Sequence, residues 1–252
     1  MNLNKEKNGN DDITIYIITH GPECYHIPDY CLPIEVGAAL RNNFHYGLRD
    51  NSNDDNISQK NKLYNEMTGL YWIWKNNNHK YVGLYHYRRI LNLNNEKIHN
   101  YLRKYDFILP KKLQVNPTCE EQYRRVHVEN DWEIMINVLK EIRPEYYVTS
   151  KNIFQNNFLY HCNIFITKKE ELDKYCKWLF PLLEMIENRL DLRERDEYQS
   201  RAMGFICERL FTLYVLHNNF KIKEIGMKSF GDITPKSTAF LVKLKKWLNL
   251  SA

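Results

Sequence analysis

The sequence predicts a single α/β domain built around a mostly parallel β-sheet. Residues 13–19 form a β-rich run that stops abruptly at His20 and a following Gly-Pro loop. Residues 81–87 form a second apolar run, which is followed by a helical segment at about 95–104 and a strand at 105–109. Strand, helix and strand in this order are typical of a parallel βαβ unit. We therefore expect polar residues at the strand ends, His20 among them, to share one edge of the sheet.

Apolar periodicity predicts the helices that cover this sheet. Five apolar residues recur at helical spacing and predict a buried stripe, namely Leu63, Met67, Leu70, Tyr71 and Trp74. Further segments read as helices at 118–142, 169–189 and 198–218, and residues 160–167 read as a strand. We expect a flexible N-terminus over 1–12, one domain over 13–230 and a basic tail over 231–252.

Composition limits the class of ligand. With 252 residues, of which 43% are hydrophobic, the chain can bury one ordinary core. The formal net charge of +5 permits an anionic ligand without indicating a protein that coats nucleic acid. The 18 tyrosines and 5 tryptophans exceed what packing usually requires and often accompany recognition of sugars or bases. Aromatic content alone does not choose between these two partners.

The spacing of the cysteines and the pattern of apolar segments indicate the cellular compartment of the protein. None of the six cysteines forms a CxxC pair, so we expect reduced thiols in a cytoplasmic protein. The N-terminal dozen residues lack the apolar run of a signal peptide. Residues 238–250 place Phe240, Leu244 and Trp247 on a lysine-rich amphipathic helix. Such a helix either closes the core or contacts an anionic membrane from the cytoplasmic side.

Residues 80–89 read KYVGLYHYRR and contain the most informative feature of the chain. An apolar strand runs directly into His86, Tyr87, Arg88 and Arg89, and two guanidinium groups at a strand end suit a phosphate or carboxylate. An isolated Arg-Arg pair more often only solvates a strand exit. No Asp-x-Asp motif, Gly-rich phosphate loop or GxSxG elbow accompanies it, so the usual metal, P-loop and serine-hydrolase schemes are disfavoured.

These residues belong to a set of motifs that spans most of the chain. The set occupies positions 19–20, 32–39, 50, 55–58, 71–76, 81–89, 105–110, 121–123, 127, 163–165 and 204–210. Together they resemble a bacterial family of capsular and exopolysaccharide biosynthesis proteins, first catalogued as a domain of unknown function and now treated as glycosyltransferases. Tyr85 departs from the family pattern, which usually has cysteine before the histidine. The resemblance implies a GT-A-like domain, and some relatives are associated with galactofuranose transfer from a UDP donor.

The resemblance also implies roles for individual residues. His86 and Arg88 are assigned to catalysis, because paired guanidinium groups can stabilise a leaving diphosphate without a metal ion. Donor binding is assigned to His20, Asp50, Asp55, Asn56, Trp72, Lys75, Arg88, Arg89 and Arg209. Acceptor binding is assigned to Tyr123, His127, His161, Asn163 and Glu197. The structural alternatives are a turn and helix cap for Asp55 and Asn56, an ion pair for Arg209 and a satisfied core residue for His127.

An inverting transfer also needs a group that accepts the proton of the acceptor hydroxyl. Glu208 is the first candidate, with Glu197 and Asp196 next, although Glu208 has an equally good reading as a carboxylate buried against Arg209 or Arg201. We expect no metal or other cofactor, and an oligosaccharide or lipid-linked glycan as acceptor. Two other readings stay open: a catalytically silent module that binds glycans or nucleotide sugars, and, less well supported, a single-stranded nucleic-acid binder.

Overall fold

A computed structural model of the chain describes residues 12–22 and 26–231. Within this part, the strands are β1 Ile13–Thr19, β2 Cys31–Glu35, β3 Leu48–Arg49, β4 Tyr81–His86, β5 Arg89–Leu91, β6 Phe107–Pro110, β7 Leu113–Gln114, β8 Phe158–Leu159, β9 Phe165–Lys168, β10 Ile222–Ile225 and β11 Met227–Ser229. The α-helices are α1 Asn61–Tyr64, α2 Met67–Asn76, α3 Asn95–Leu102, α4 Cys119–Val126, α5 Glu129–Ile142, α6 Pro144–Ile153, α7 Lys169–Glu187 and α8 Ala202–His217.

The central sheet is mostly parallel, as the sequence predicts. Its strands run in the order β10-β6-β9-β4-β1-β2-β3, and β5 and β11 extend it beside β4. Strands β4, β1, β2 and β3 are mutually parallel, whereas β9 lies antiparallel between β4 and β6. Strands β4 and β6 therefore point the same way. The carboxyl ends of the two parallel groups, β4-β1-β2-β3 and β6-β10, consequently lie at the same edge of the sheet.

Two apolar clusters cover the two faces of this sheet. The larger contains the inward side chains of α2, α5, α7 and α8, and the smaller contains α3 and the opposite face of β1 and β4. Helix α2 lies very close to β1 because it carries Gly69 there. A Cβ atom on Gly69 would stand 2.5 Å from Ile18 Cδ1 and 2.7 Å from Val36 Cγ1, so a larger residue would require these side chains or the helix to shift.

Several predicted elements were wrong in extent. Residues 118–142 form two helices, because the backbone is extended at His127 between α4 and α5. Residues 160–167 are not one strand, since β9 begins only at Phe165 and a left-handed turn at Cys162 and Asn163 precedes it. Strand β2 and helix α6 were not predicted, because short strands and weakly amphipathic helices leave little periodicity to detect.

The remaining predictions about the fold are confirmed, lie outside the described residues, or stay predictions. The strand at 13–19 is confirmed, and α7 and α8 lie inside the predicted segments 169–189 and 198–218. The amphipathic tail at 238–250 lies outside the described residues. The proposed domain boundaries stay predictions. In the two described stretches, no helix has the length and apolar character needed to cross a membrane.

Candidate active site at the carboxyl edge of the sheet

The ends of β1 and β4 bring two histidines to the same edge. Ile18 pairs in register with His86, and the Tyr87 N–H donates to the Ile18 carbonyl at 2.9 Å. His20 follows β1 directly, and its ring lies edge-on to the Tyr87 ring at a centroid distance of 6.5 Å. The Tyr87 ring also contacts the His86 ring at 4.4 Å. The edge therefore presents two imidazoles that flank one phenol ring.

A tight turn at Tyr87 and Arg88 then reverses the chain. Because β5 pairs antiparallel with β4, Arg89 lies directly across from His86. Arg88 stacks its guanidinium over the Tyr87 ring at 4.8 Å, and the backbone N–H of Arg88 donates to His86 Nδ1 at 3.3 Å. The two arginines thus occupy a hairpin, which keeps both close to His86.

The electrostatics of this edge favour an anion. Burial, followed by the charges of Arg89, His20, Arg201 and Arg88, lowers the pKa of His86 to about 3. Burial, followed by the charges of Arg201 and Arg41, lowers the pKa of His20 to about 4. Both imidazoles are thus neutral near pH 7, while the guanidinium groups beside them keep their charge. A phosphate in this position would meet positive charge and neutral hydrogen-bonding nitrogens together.

The turn between β8 and β9 forms the next wall of the site. Cys162 and Asn163 have φ values of 65° and 49°, a left-handed conformation that residues other than glycine seldom adopt. The turn directs the Asn163 amide to Glu66, where Nδ2 donates to Oε1 at 2.7 Å. Burial, with a further contribution from Arg89, lowers the pKa of His161 to about 4. His161 and Asn163, both predicted acceptor contacts, thus lie near Arg89 and Glu66 respectively.

Glu66 is the residue that sequence reasoning missed. It stands immediately before α2 and faces Asn163 and the charge of Arg201. Burial raises the pKa of Glu66, while the Asn163 hydrogen bond and Arg201 oppose this change and Glu208 adds to it. A carboxylate at the start of an apolar helix looks like an ordinary N-terminal charge in the sequence. Only its contact with a turn 97 positions away marks it as part of a site.

Glu208, the predicted base, is held by protein groups through both of its oxygens. Oε1 accepts the Cys162 N–H at 2.6 Å, and Oε2 forms an ion pair with Arg209 at 3.1 Å. Arg209 is buried and also donates to Gln122 and to the Phe205 carbonyl. This arrangement agrees with the structural alternatives given above, an ion pair for Arg209 and a carboxylate packed against Arg209 for Glu208. It also explains why the turn at Cys162 is stable, because Glu208 accepts its N–H.

Asp50 is fully buried and serves the loop that follows β2. Its oxygens accept four hydrogen bonds, from the N–H groups of Gly37 at 2.8 Å and Ala38 at 3.1 Å, and from the hydroxyls of Ser58 at 2.5 Å and Thr68 at 2.6 Å. Gly37 adopts a positive φ of 66° that suits this turn. A carboxylate with these partners holds the loop after β2 in place, because both of its oxygens accept hydrogen bonds from protein groups. The assignment of Asp50 to donor binding stays a prediction.

Four other predicted donor contacts lie elsewhere. Asp55 pairs with Lys75 at 2.9 Å on the outer surface of α2, and Asn56 closes a local turn by donating to the Asn53 carbonyl at 2.6 Å. Trp72 is buried in the core against Tyr16. None of the four has a described contact with His86, Arg88 or Arg89, because Trp72 and Lys75 lie on α2 and Asp55 and Asn56 lie in the loop before α1.

The predicted acceptor residues on α4 are mostly internal. Tyr123 is fully buried, and the His127 ring stacks on Phe205 at 3.9 Å and on Tyr198 at 5.8 Å. Burial and the charge of Arg209 lower the pKa of His127 to about 2, so this half-buried ring is neutral near pH 7. Glu197 is exposed in the loop before α8.

Among the described residues, no group of three or more His, Cys, Asp and Glu side chains has the geometry of a metal site.

Comparison with known proteins first identifies the class of fold. The apo structure of WbbM, a bifunctional glycosyltransferase, superposes with a TM-score of 0.79 and 26% sequence identity over 90% of this chain. The match covers 48% of that protein, so the chain corresponds to about half of it. The fold is therefore a mixed α/β, glycosyltransferase-like fold, consistent with a GT-A-like architecture.

The family follows from the sequence. Residues 14–219 match the family described as domain of unknown function DUF4422, and the chain belongs to that family. The match includes β1, the β4–β5 hairpin, Glu66 and α8, so every part of the site described above lies within it. Comparison with curated proteins found no significant match.

Proposed function

We propose that the protein is a glycosyltransferase that moves a hexosyl group from a UDP-sugar to a growing glycan. The observation that carries the proposal is the cluster at the sheet edge, where Arg89 lies across from His86 and Arg88 stacks on the Tyr87 ring that contacts both His86 and His20. A fold and a family shared with glycosyltransferase-like proteins support it. Galactofuranose is the narrower proposal for the sugar, and it rests on the resemblance described above.

The arginines and histidines are proposed to hold the diphosphate. Arg88 and Arg89 leave β4 in a hairpin, so both guanidinium groups can face the same pair of phosphate oxygens. His86 and His20 would donate or accept hydrogen bonds in their neutral forms. As the sugar–phosphate bond breaks, negative charge grows on the leaving oxygen, and fixed positive charge there lowers the barrier. We propose that this arrangement works without a metal ion.

A carboxylate is proposed to take the proton of the attacking hydroxyl, as inversion at the anomeric carbon requires. Glu66 suits this role better than Glu208, since Glu208 is held through both oxygens by the Cys162 N–H and by Arg209, whereas burial raises the pKa of Glu66 toward the working range of a base. Glu208 and Glu197 remain the alternatives from sequence. Asn163 would hold the Glu66 carboxylate in position, and His161 would meet acceptor hydroxyls.

The acceptor is proposed to be an oligosaccharide or a lipid-linked glycan of a capsular, exopolysaccharide or O-antigen pathway. A cytoplasmic enzyme that acts on a lipid-linked acceptor gains from staying at the membrane surface. We propose that the lysine-rich segment 238–250 provides that contact. The second candidate function is a catalytically silent module that binds the same nucleotide sugar, since the anion site alone would serve either protein.

Thermal shift with a panel of nucleotides and nucleotide sugars tests the proposal. A donor at a hundred times its dissociation constant should stabilise the folded state by ~2.7 kcal/mol. We expect uridine diphosphate and at least one UDP-sugar to stabilise the protein, with no effect in an Arg88→Ala variant. If no nucleotide sugar stabilises the wild type, the proposal is wrong. Donor binding without hydrolysis or transfer to any glycan would favour the silent module.

A further inference from the structure

A second concave surface lies between α2 and α7, away from the sheet edge. It encloses about 450 Å³ and is bordered on one helix by Tyr71 and Trp74 and on the other by Phe180 and Pro181. Its volume falls within the roughly 300–1,000 Å³ typical of small-molecule sites. Trp74 follows Glu66 by eight positions along the helix, which corresponds to ~12 Å. The cavity is therefore distinct from the proposed active site.

Three aromatic rings that are each only partly buried form its wall. The rings of Trp74 and Phe180 lie nearly parallel, with centroids 5.6 Å apart and planes 5° apart. Tyr71 stands edge-on to Phe180 at 4.9 Å. Contacts on several sides fix each ring, so a ligand that stacks here loses little side-chain entropy from the protein.

Polar groups with fixed positions border these rings. Tyr71 donates its hydroxyl to Asp55 at 2.7 Å, and Lys75 pairs with the same carboxylate at 2.9 Å. Lys75 also lies over the Trp74 ring at 4.6 Å. Pro181 has no N–H, so the carbonyl of Lys177, one turn earlier, lacks its usual intrahelical donor. The cavity thus combines aromatic surface with hydrogen-bond donors and acceptors.

The charges around the cavity balance, which excludes an anion as the best ligand. Lys60, Lys75 and Lys177 line or border it, and Lys60 is paired with Glu187 at 2.7 Å. Glu184 adds a carboxylate to the lining. Lys60 and Lys75 are neutralised by ion pairs with Glu187 and Asp55, which border the cavity, so three lysines stand with three carboxylates. A nucleotide or a phosphate would find no net positive charge here. A neutral ligand with apolar faces and many hydroxyls fits both the rings and the polar border.

We propose that the cavity between α2 and α7 binds a neutral oligosaccharide. The apolar face of one sugar ring packs on Phe180 and Trp74, and its hydroxyls bond with the Asp55–Lys75 pair. If the proposed transferase function holds, this site grips the acceptor chain while its end reaches Glu66. A glycan that is held at the cavity keeps its free end at a high local concentration near Glu66, which favours longer acceptors over short ones.

Ligand-observed NMR and calorimetry with neutral tetrasaccharides of galactose, glucose and mannose test the proposal. We expect at least one of them to bind the wild type, and Trp74→Ala to weaken it at least tenfold while UDP affinity stays unchanged. Phe180→Leu provides a second variant that keeps an apolar side chain if Trp74→Ala fails to fold. Val148→Ala removes part of an exposed apolar side chain on α6 and should leave both affinities unchanged.

Two outcomes would overturn the inference. The first is that no tetrasaccharide binds, or that binding survives both Trp74→Ala and Phe180→Leu. The second is that the wild type is a dimer that these substitutions dissociate, which would make the cavity a subunit contact. If only the transferase proposal is wrong, the result is different: the wild-type protein binds a tetrasaccharide but no nucleotide sugar.

Discussion

Asn163 donates its side-chain amide to the Glu66 carboxylate at 2.7 Å, joining the turn before β9 to the start of α2. Asn163 is almost wholly buried and sits in a left-handed conformation. The hydrogen bond therefore fixes one oxygen of Glu66. In the proposed mechanism Asn163 positions this carboxylate, Glu66 accepts the proton, and the arginines supply the charge for a phosphate.

Glu66→Gln should reduce transfer by roughly 10²- to 10⁴-fold, because an amide cannot accept the proton. Donor affinity should stay near the wild-type value, since the arginines are untouched. Steady-state kinetics and calorimetry with the UDP-sugar found by screening measure the two effects. Glu208→Gln is the matched comparison, and it should lower stability by about 1–3 kcal/mol by weakening the Cys162 and Arg209 contacts. A dead Glu208→Gln beside an active Glu66→Gln would return the role of base to Glu208.

Arg88→Ala should raise the barrier to transfer by about 2–4 kcal/mol, because it removes fixed charge from the leaving diphosphate. Arg125→Ala, which removes an exposed arginine of α4, should leave the rate unchanged. Transfer should also persist in EDTA. A wild-type enzyme that works only with added Mn²⁺ or Mg²⁺ would contradict the metal-independent proposal, whatever the effect of the arginine.

Asp50→Ala should destabilise the protein by about 2–4 kcal/mol, because it leaves buried N–H and hydroxyl donors without their acceptor. Chemical denaturation measures the free energy of unfolding directly. Asp54→Ala, at an exposed position of the loop between β3 and α1, is the control and should be neutral. If Asp50→Ala were fully stable yet lost affinity for UDP, the original assignment of Asp50 to the donor would be correct.

Stability should fall as the pH decreases from about 6.5 toward 4. The pKa values of His86 and His20 are lowered by burial and by arginine charge to about 3 and about 4. Since both stay below the ordinary value of ~6.5, the unfolded chain binds protons in this range that the folded chain does not. Denaturation at several pH values should show a shallower slope in His86→Gln. An equal slope in both proteins would mean that other groups govern the acid transition.

The lysine-rich tail should bind anionic vesicles in a salt-sensitive manner, because each lysine near anionic lipid contributes about 1 kcal/mol. Sedimentation with vesicles of phosphatidylglycerol and phosphatidylcholine compares the full chain with a chain that ends at Ser237. We expect only the full chain to sediment, and less of it at high salt. A truncated protein that is folded and binds equally well would exclude the tail as the anchor.

The sequence alone determined the local features of the site. The apolar run before His86 and the two arginines predicts a strand and the position at which it ends, because both follow from residue type and periodicity within that segment. The same reasoning placed His20 correctly. It also predicted the α/β class and the mostly parallel sheet, because alternating strands and helices leave few other topologies.

Only the tertiary structure decided which polar side chains meet. Asp50 and Glu66 look alike in the sequence, each a carboxylate near a helix, yet one is enclosed by four donors and the other faces Asn163 and Arg201. Asp55 and Lys75 pair with each other on the flank of α2 instead of reaching the sheet edge. Contacts between distant segments depend on how helices pack against the sheet, and local propensity carries no information about that packing.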